Sequence, residues 1–124
     1  MSELFFKEDS YKIIGICMKI HSSLGMGLKE INYKDAMEMD FAEENINYER
    51  EKRYAVKYKD KILRHPYVAD FVVGNSIIVE VKSVPVILDT HMAQSLSYLA
   101  VSSLKLALLI NFGERSLTSK RIVL

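Results

Sequence analysis

Cysteine is nearly absent. Cys17 stands alone among 124 residues, so no internal disulfide can form and the chain is not a disulfide-stapled scaffold. Long hydrophobic runs are missing too: Val84–Leu88 and Leu106–Ile110 fall far short of the ~20 residues a membrane-spanning helix needs. Glu3, Lys7, Glu8 and Asp9 scatter charge through the first residues, unlike the layout of a secretory signal. There is no phosphate-cradling glycine loop, no histidine spacing suited to zinc, no repeat, no low-complexity tract and no linker. Excess charge is lacking as well. Lys and Arg number 17 against 16 Asp and Glu, a net of +1, which taken alone argues against electrostatic coating of nucleic acid. What these absences leave is one globular domain over residues 1–124, expected in the reducing cytoplasm and without a membrane partner.

The hydrophobic pattern divides this domain into helices first and strands later. Ser10 is expected to cap a helix whose apolar positions are Ile13, Cys17, Ile20 and Leu24, with Gly25 as the stop. After the Gly25-Met26-Gly27 break, a second helix is expected from Lys29 to Asn45, with Tyr33, Met37 and Phe41 on one face. From Tyr48 the period becomes two, with Tyr54, Val56 and Tyr58 on the inner side of a strand that turns at Lys59-Asp60-Lys61. Strands at 67–73 and 77–83 follow, joined at Gly74-Asn75-Ser76. Asp89 or Thr90 can cap a helix carrying Met92, Leu96 and Leu99 inward. The apolar stretch from Lys105 to Phe112 suits a central strand, and 117–124 an edge strand. The order is α-α-β-β-β-α-β, with a final β.

Charge is balanced overall but not locally. Residues 30–49 carry a net of −6 and residues 50–64 a net of +5. The basic segment reads either as a solvated hairpin or as a surface for a polyanion, where Arg53, Lys57 and Lys59 would meet phosphates.

Chemistry points to three residues. Asp70, Glu80 and Lys82 are ionisable groups embedded in otherwise apolar strands, 68–73 and 77–82. Glu80 and Lys82 share one side of their strand. A three-residue loop at 74–76 sets Asp70 opposite Glu80 on the same face, whereas a two-residue loop would separate them; the longer loop is the expectation. Two facing carboxylates repel unless a cation lies between them, so the cluster reads as a site for a hard metal ion, with Mg²⁺ the ion expected and Mn²⁺ its alternative. A neighbouring lysine would serve the attacking water or the phosphoryl charge. The plainer alternative is a Glu–Lys ion pair on a solvated strand. Glu30 adds an acid to the apolar stripe of the second helix, where it needs a partner or a metal. On the later helix, His91, Gln94 and Tyr98 form a polar face opposite Met92, Leu96 and Leu99. Cys17 is expected in the core, and His21 and His65 as structural or exposed.

The run Gly27-Leu28-Lys29-Glu30-Ile31-Asn32-Tyr33 resembles the G-x-x-E-x-x-Y signature of the small-protein family named after it, part of the PD-(D/E)XK nuclease-like superfamily. Similar stretches recur in the family's order: Tyr11–Gly15, Ala69-Asp70, Val79-Glu80-Val81-Lys82, Ala93-Gln94 to Tyr98-Leu99, and Leu108–Gly113. They span about residues 9–124. Members often carry Pro where Met26 stands and Arg where Val68 stands; the acid-acid-lysine set is complete here.

The resemblance implies an α/β (α+β) restriction-endonuclease-like core, with a mixed central sheet of four to five strands flanked by helices. It implies Asp70 and Glu80 as metal-binding acids, Glu30 as an additional acid and Lys82 as the catalytic lysine. Gln94 and Tyr98 resemble the Q-x-x-x-Y element beside the site of RecB-like nucleases. The implied reaction is Mg²⁺-dependent hydrolysis of phosphodiesters, in DNA more than RNA. Two other classes compete: an inactive nucleic-acid-binding or assembly module of the same fold, and a subunit completed by a second copy or by another protein.

Overall fold

The computed structural model describes residues 2–124, with side chains from Phe6 onward. Two helices come first, α1 (Ser2–Leu24) and α2 (Glu30–Glu43). After them lie β1 (Tyr48–Tyr54), the short strands β2 (Lys57–Tyr58) and β3 (Lys61–Ile62), then β4 (Tyr67–Val73) and β5 (Ile77–Lys82). Helix α3 (Asp89–Ser102) leads to β6 (Leu106–Asn111) and β7 (Thr118–Val123). Five strands make one mixed sheet in the order β1-β4-β5-β6-β7. Neighbours are antiparallel except β5 and β6, which run parallel because α3 carries the chain back between them. This is the α+β, restriction-endonuclease-like arrangement expected. The small β2–β3 hairpin is an addition to it.

The sheet is covered on both faces. On one, α1 and α2 bury Ile13, Ile16, Cys17, Ile20, Tyr33, Met37 and Phe41 against Phe71, Val79, Val81 and Leu108. On the other, α3 brings Leu99 onto Tyr67, Ala69, Ile78 and Leu109. Strand β6 is buried along its whole length, as a central strand should be. Cys17 lies in this core, where burial first and the Asp40 carboxylate second push its thiol well above the usual range.

Several local expectations need correction. Helix α1 begins well before Ser10, which is buried inside it. The Ser10 hydroxyl donates to the Phe6 carbonyl one turn back (2.7 Å), satisfying itself without ending the helix. Helix α3 is capped from Leu88, whose N–H donates to His91 Nδ1 (2.9 Å), rather than by Asp89 or Thr90. Its inward stripe contains Ser95, Leu99 and the half-buried Met92 and Tyr98, while Leu96 faces out. Tyr98 is therefore on the sheet side, not opposite it. The expected strand through Tyr58 stops at Tyr54, and Tyr58 stands exposed on the hairpin.

One irregularity positions the site. Tyr48 packs on the α1/α2 face and Tyr54 on the α3 face, although six residues apart on a uniform strand they would share a side. The switch falls at Glu51, which takes a left-handed conformation (φ 54°). Opposite it, β4 switches too: Tyr67 and Ala69 face α3, whereas Phe71 and Val73 face α1 and α2. The register is unchanged on either side, Arg50 facing Phe71 and Lys52 facing Ala69, with Glu51 and Asp70 unpaired between them.

Candidate active site

The loop at 74–76 sets the register of β4 against β5. Val73 faces Ile77, Val72 faces Ile78 and Phe71 faces Val79, so the next opposed positions are Asp70 and Glu80. There the regular pairing ends. The Val81 N–H donates to Asp70 Oδ2 (2.8 Å), and the Asp70 N–H donates to Glu80 Oε2 (3.1 Å). Each carboxylate thus takes a main-chain bond of the opposite strand. They fill the gap between the strands rather than standing side by side on one sheet face.

Each acid has a second partner, from β4 for Glu80 and from α2 for Asp70. The Tyr67 hydroxyl donates to Glu80 Oε2 (2.7 Å), and its ring stacks on Tyr98 with centroids 4.0 Å apart. Lys34 of α2 donates to Asp70 Oδ1 (2.9 Å) and also approaches Glu51 Oε2 (3.5 Å). Burial first, and the Asp70 charge second, push the Glu80 carboxyl up to about 7. The bonds from Tyr67 and the Asp70 N–H, and the Lys82 charge, pull the other way without prevailing. Tyr67 is raised strongly by burial and then by Glu80. The Tyr98 phenol is raised by burial, then by Glu80 and Asp70, which sets it in the field of the pair.

Lys82 is half-buried, and its ammonium forms no ion pair among the described residues. Glu30 reaches the main chain just beyond it, accepting the Ser83 N–H at 3.2 Å. It is not gathered with the other two acids. Among the described residues no group of three or more His, Cys, Asp or Glu side chains is arranged to hold one ion. Gln94 lies one turn before Tyr98, but it is exposed and touches neither Asp70 nor Glu80 through a hydrogen bond.

Helix α2 explains much of this placement. Glu30, Lys34 and Glu38 recur every fourth residue, a row that meets β5, β4 and β1 in turn. Glu30 meets the end of β5, Lys34 meets β4 and β1, and Glu38 meets Arg50 and Tyr48 of β1. The start of α2 is fixed by Tyr33, whose hydroxyl donates to the Gly25 carbonyl (2.6 Å) and accepts the Leu28 N–H (3.2 Å) while its ring stacks on Phe112. Gly27 between them has φ 106°, open to glycine and strained for other residues. The Gly27, Glu30 and Tyr33 spacing is therefore a device for seating α2 against β5. Just past the paired ends of β5 and β6, Gly113 packs so closely that a Cβ there would collide with the main chain of Val84.

The basic segment is partly spent on the acidic one. Arg50 pairs with Asp35 and Glu38, and Lys52 with Glu49. Arg53, Lys57 and Lys59 are exposed and take part in no ion pair among the described residues. Arg53 is on β1, the two lysines on the separate hairpin, with the Lys59 ammonium over the Tyr58 ring. Lys34, Tyr67 and Glu51 were missed from sequence. Lys34 falls three residues before Met37 and seven before Phe41, so its place on the buried stripe was the available signal.

Residues 7–122 match the sequence model of the PD-(D/E)XK nuclease superfamily. The chain belongs to that superfamily. The PD-(D/E)XK fold here is similar to that in a crystal structure of SSO0001, with a TM-score of 0.59 and 17% identity. The match covers 98% of this chain and 62% of that one, so this chain spans less than two thirds of its neighbour, and the likeness is one of fold. No protein of curated function matches the sequence. No helix among the described residues is long and apolar enough to cross a membrane.

Proposed function

We propose that this PD-(D/E)XK protein, of the G-x-x-E-x-x-Y branch, hydrolyses phosphodiester bonds in DNA with Mg²⁺, or Mn²⁺ in its place. The observation that carries the proposal is the opened end of the β4–β5 pairing, where Asp70, Glu80 and an unpaired Lys82 come together inside a family of nucleases. Superfamily members use divalent metals and nucleic acids in general, and the donors here suit a hard ion. Both are carboxylates, they sit close enough that the Asp70 charge raises the Glu80 carboxyl, and Mg²⁺ is commonly held by one or two such groups. Asp70 and Glu80 would hold the ion, which supplies Lewis-acid polarisation of the scissile phosphate and of the attacking water.

The chain's own groups do the rest. As water attacks phosphorus and the bond to the leaving oxygen breaks, the Lys82 ammonium meets the negative charge growing on the phosphoryl oxygens. Tyr67 orients Glu80 through Oε2. Glu30 holds the backbone beyond Lys82, so its part is to position that lysine rather than to bind metal. Tyr98 borders the site from α3, with Gln94 exposed one turn away to meet substrate. Arg53, Lys57 and Lys59 would contact backbone phosphates and position the strand without reading its sequence.

One observation favours the alternative, an inactive nucleic-acid-binding or assembly module: Asp70 already carries an ammonium partner in Lys34. Purified protein incubated with plasmid and with single-stranded DNA separates the two. Cleavage with Mg²⁺ that stops in EDTA and in Lys82→Ala is expected. Salt-sensitive binding that persists under both conditions, with no cleavage, would replace the enzyme by the module.

A further inference from the structure

Both Asp70 carboxylate oxygens already have a partner before any metal arrives. Its Oδ2 accepts the Val81 N–H and its Oδ1 accepts Lys34 Nζ. Lys34 is only 8% exposed, and a buried ammonium is tolerated because it is paired. It comes to this place from the same buried stripe of α2 as Met37 and Phe41, so the helix holds it there by packing. A divalent ion needs the same carboxylate oxygens, and two like charges a few ångströms apart in a partly buried site oppose each other.

We propose that Lys34 is the built-in counter-ion of the metal pair: it holds Asp70 in the metal-free protein and must release it for a divalent ion to bind. Lys34 thereby sets the metal concentration at which the site fills. The inference rests on Asp70 and Glu80 being the metal pair. The second carboxylate beside Lys34 makes the release feasible. Glu51 Oε2 is already 3.5 Å from the ammonium, and the Glu51 side chain is half exposed, so Lys34 can shift toward it and toward water without being stranded. Glu51 has a left-handed backbone and, like the Asp70 opposite it, is unpaired in the β1–β4 ladder.

Mn²⁺ binding, read by loss of the free-ion signal in electron paramagnetic resonance, tests this on wild type, Lys34→Met, Lys34→Gln and Asp70→Asn. The neutral variants at Lys34 are expected to bind about tenfold tighter or more, the scale of one nearby unit charge, and Asp70→Asn is expected to abolish binding. In EDTA, Lys34→Met should melt below wild type, with Mn²⁺ closing the difference. Lys34→Gln keeps a donor for Asp70 and carries the comparison if Lys34→Met does not fold. Equal or weaker binding in both Lys34 variants overturns this inference while leaving the metal pair intact. No binding that depends on Asp70 in any of these proteins overturns both.

Discussion

The two ends of the β4–β5 pairing are built from the same two strands and follow different rules. At the turn end Phe71, Val72 and Val73 face Val79, Ile78 and Ile77, all buried and paired through the main chain. At the other end Asp70 and Glu80 take each other's strand by side-chain bonds, and a tyrosine and a lysine supply the remaining partners. Burial does not separate Glu80 from the apolar end, since it is 7% exposed and Val73 6%, although Asp70 and Lys82 are half-buried. What differs is that one end buries hydrocarbon and the other buries charge. The first stabilises the fold, and the second holds a carboxylate at an unfavourable protonation balance, the arrangement expected where chemistry is done.

The sharpest way to break this contrast is at the apolar end. Phe71 is fully buried and packs edge-on against Phe41. Phe71→Ala is expected to cost about 3–5 kcal/mol in denaturant unfolding; a loss below about 1 kcal/mol would show that this end does not carry the stability. At the charged end, Lys82→Ala should leave stability within about 1 kcal/mol while lowering Mg²⁺-dependent cleavage by about 100-fold or more. A strongly destabilised Lys82→Ala would make the lysine structural.

Glu80 sharpens the comparison by its sign. Its folded-state pKa, about 7, lies above the ordinary value of 4.5, so the fold prefers the protonated acid. The stability this contributes is complete below about pH 4.5 and is lost as pH rises through 7. In metal-free buffer Glu80→Gln should therefore be more stable than wild type at pH 8, by up to about 3 kcal/mol, with the gap closing toward pH 4.5. Thermal unfolding at the two pH values checks it, and a gap independent of pH would contradict the assignment. The smallest effect expected is at the base of α2. Tyr33→Phe removes the bonds to Gly25 and Leu28 and should cost about 1 kcal/mol, with cleavage reduced only as far as the seating of Glu30 on Ser83 loosens.

Much of this was legible in residues alone, because loop length and period dictate register. Three residues at 74–76 set Asp70 opposite Glu80, and the unbroken apolar run from Leu106 placed β6 among the interior strands of the sheet. Period counting failed where backbone or side-chain bonding overrides it. A uniform strand cannot anticipate the left-handed Glu51, so the switch of faces and the filling of the gap by both carboxylates were invisible. Ser95 faces inward and Leu96 outward because a small residue lets α3 approach, with its hydroxyl satisfied by the His91 carbonyl. Lys34 was hidden by its type: a lysine in an acidic helix reads as solvated until its partner, distant in sequence, is brought to it.

On the proposed function, the charged end of β4–β5 serves catalysis against the interest of stability. The most direct measurement takes both quantities from one preparation of Glu80→Gln: unfolding at pH 8 in EDTA, and cleavage of DNA with Mg²⁺. A protein that is more stable than wild type and cleaves about 100-fold less or not at all is the predicted result. A Glu80→Gln protein that is less stable at pH 8, or that cleaves as well as wild type, would contradict it.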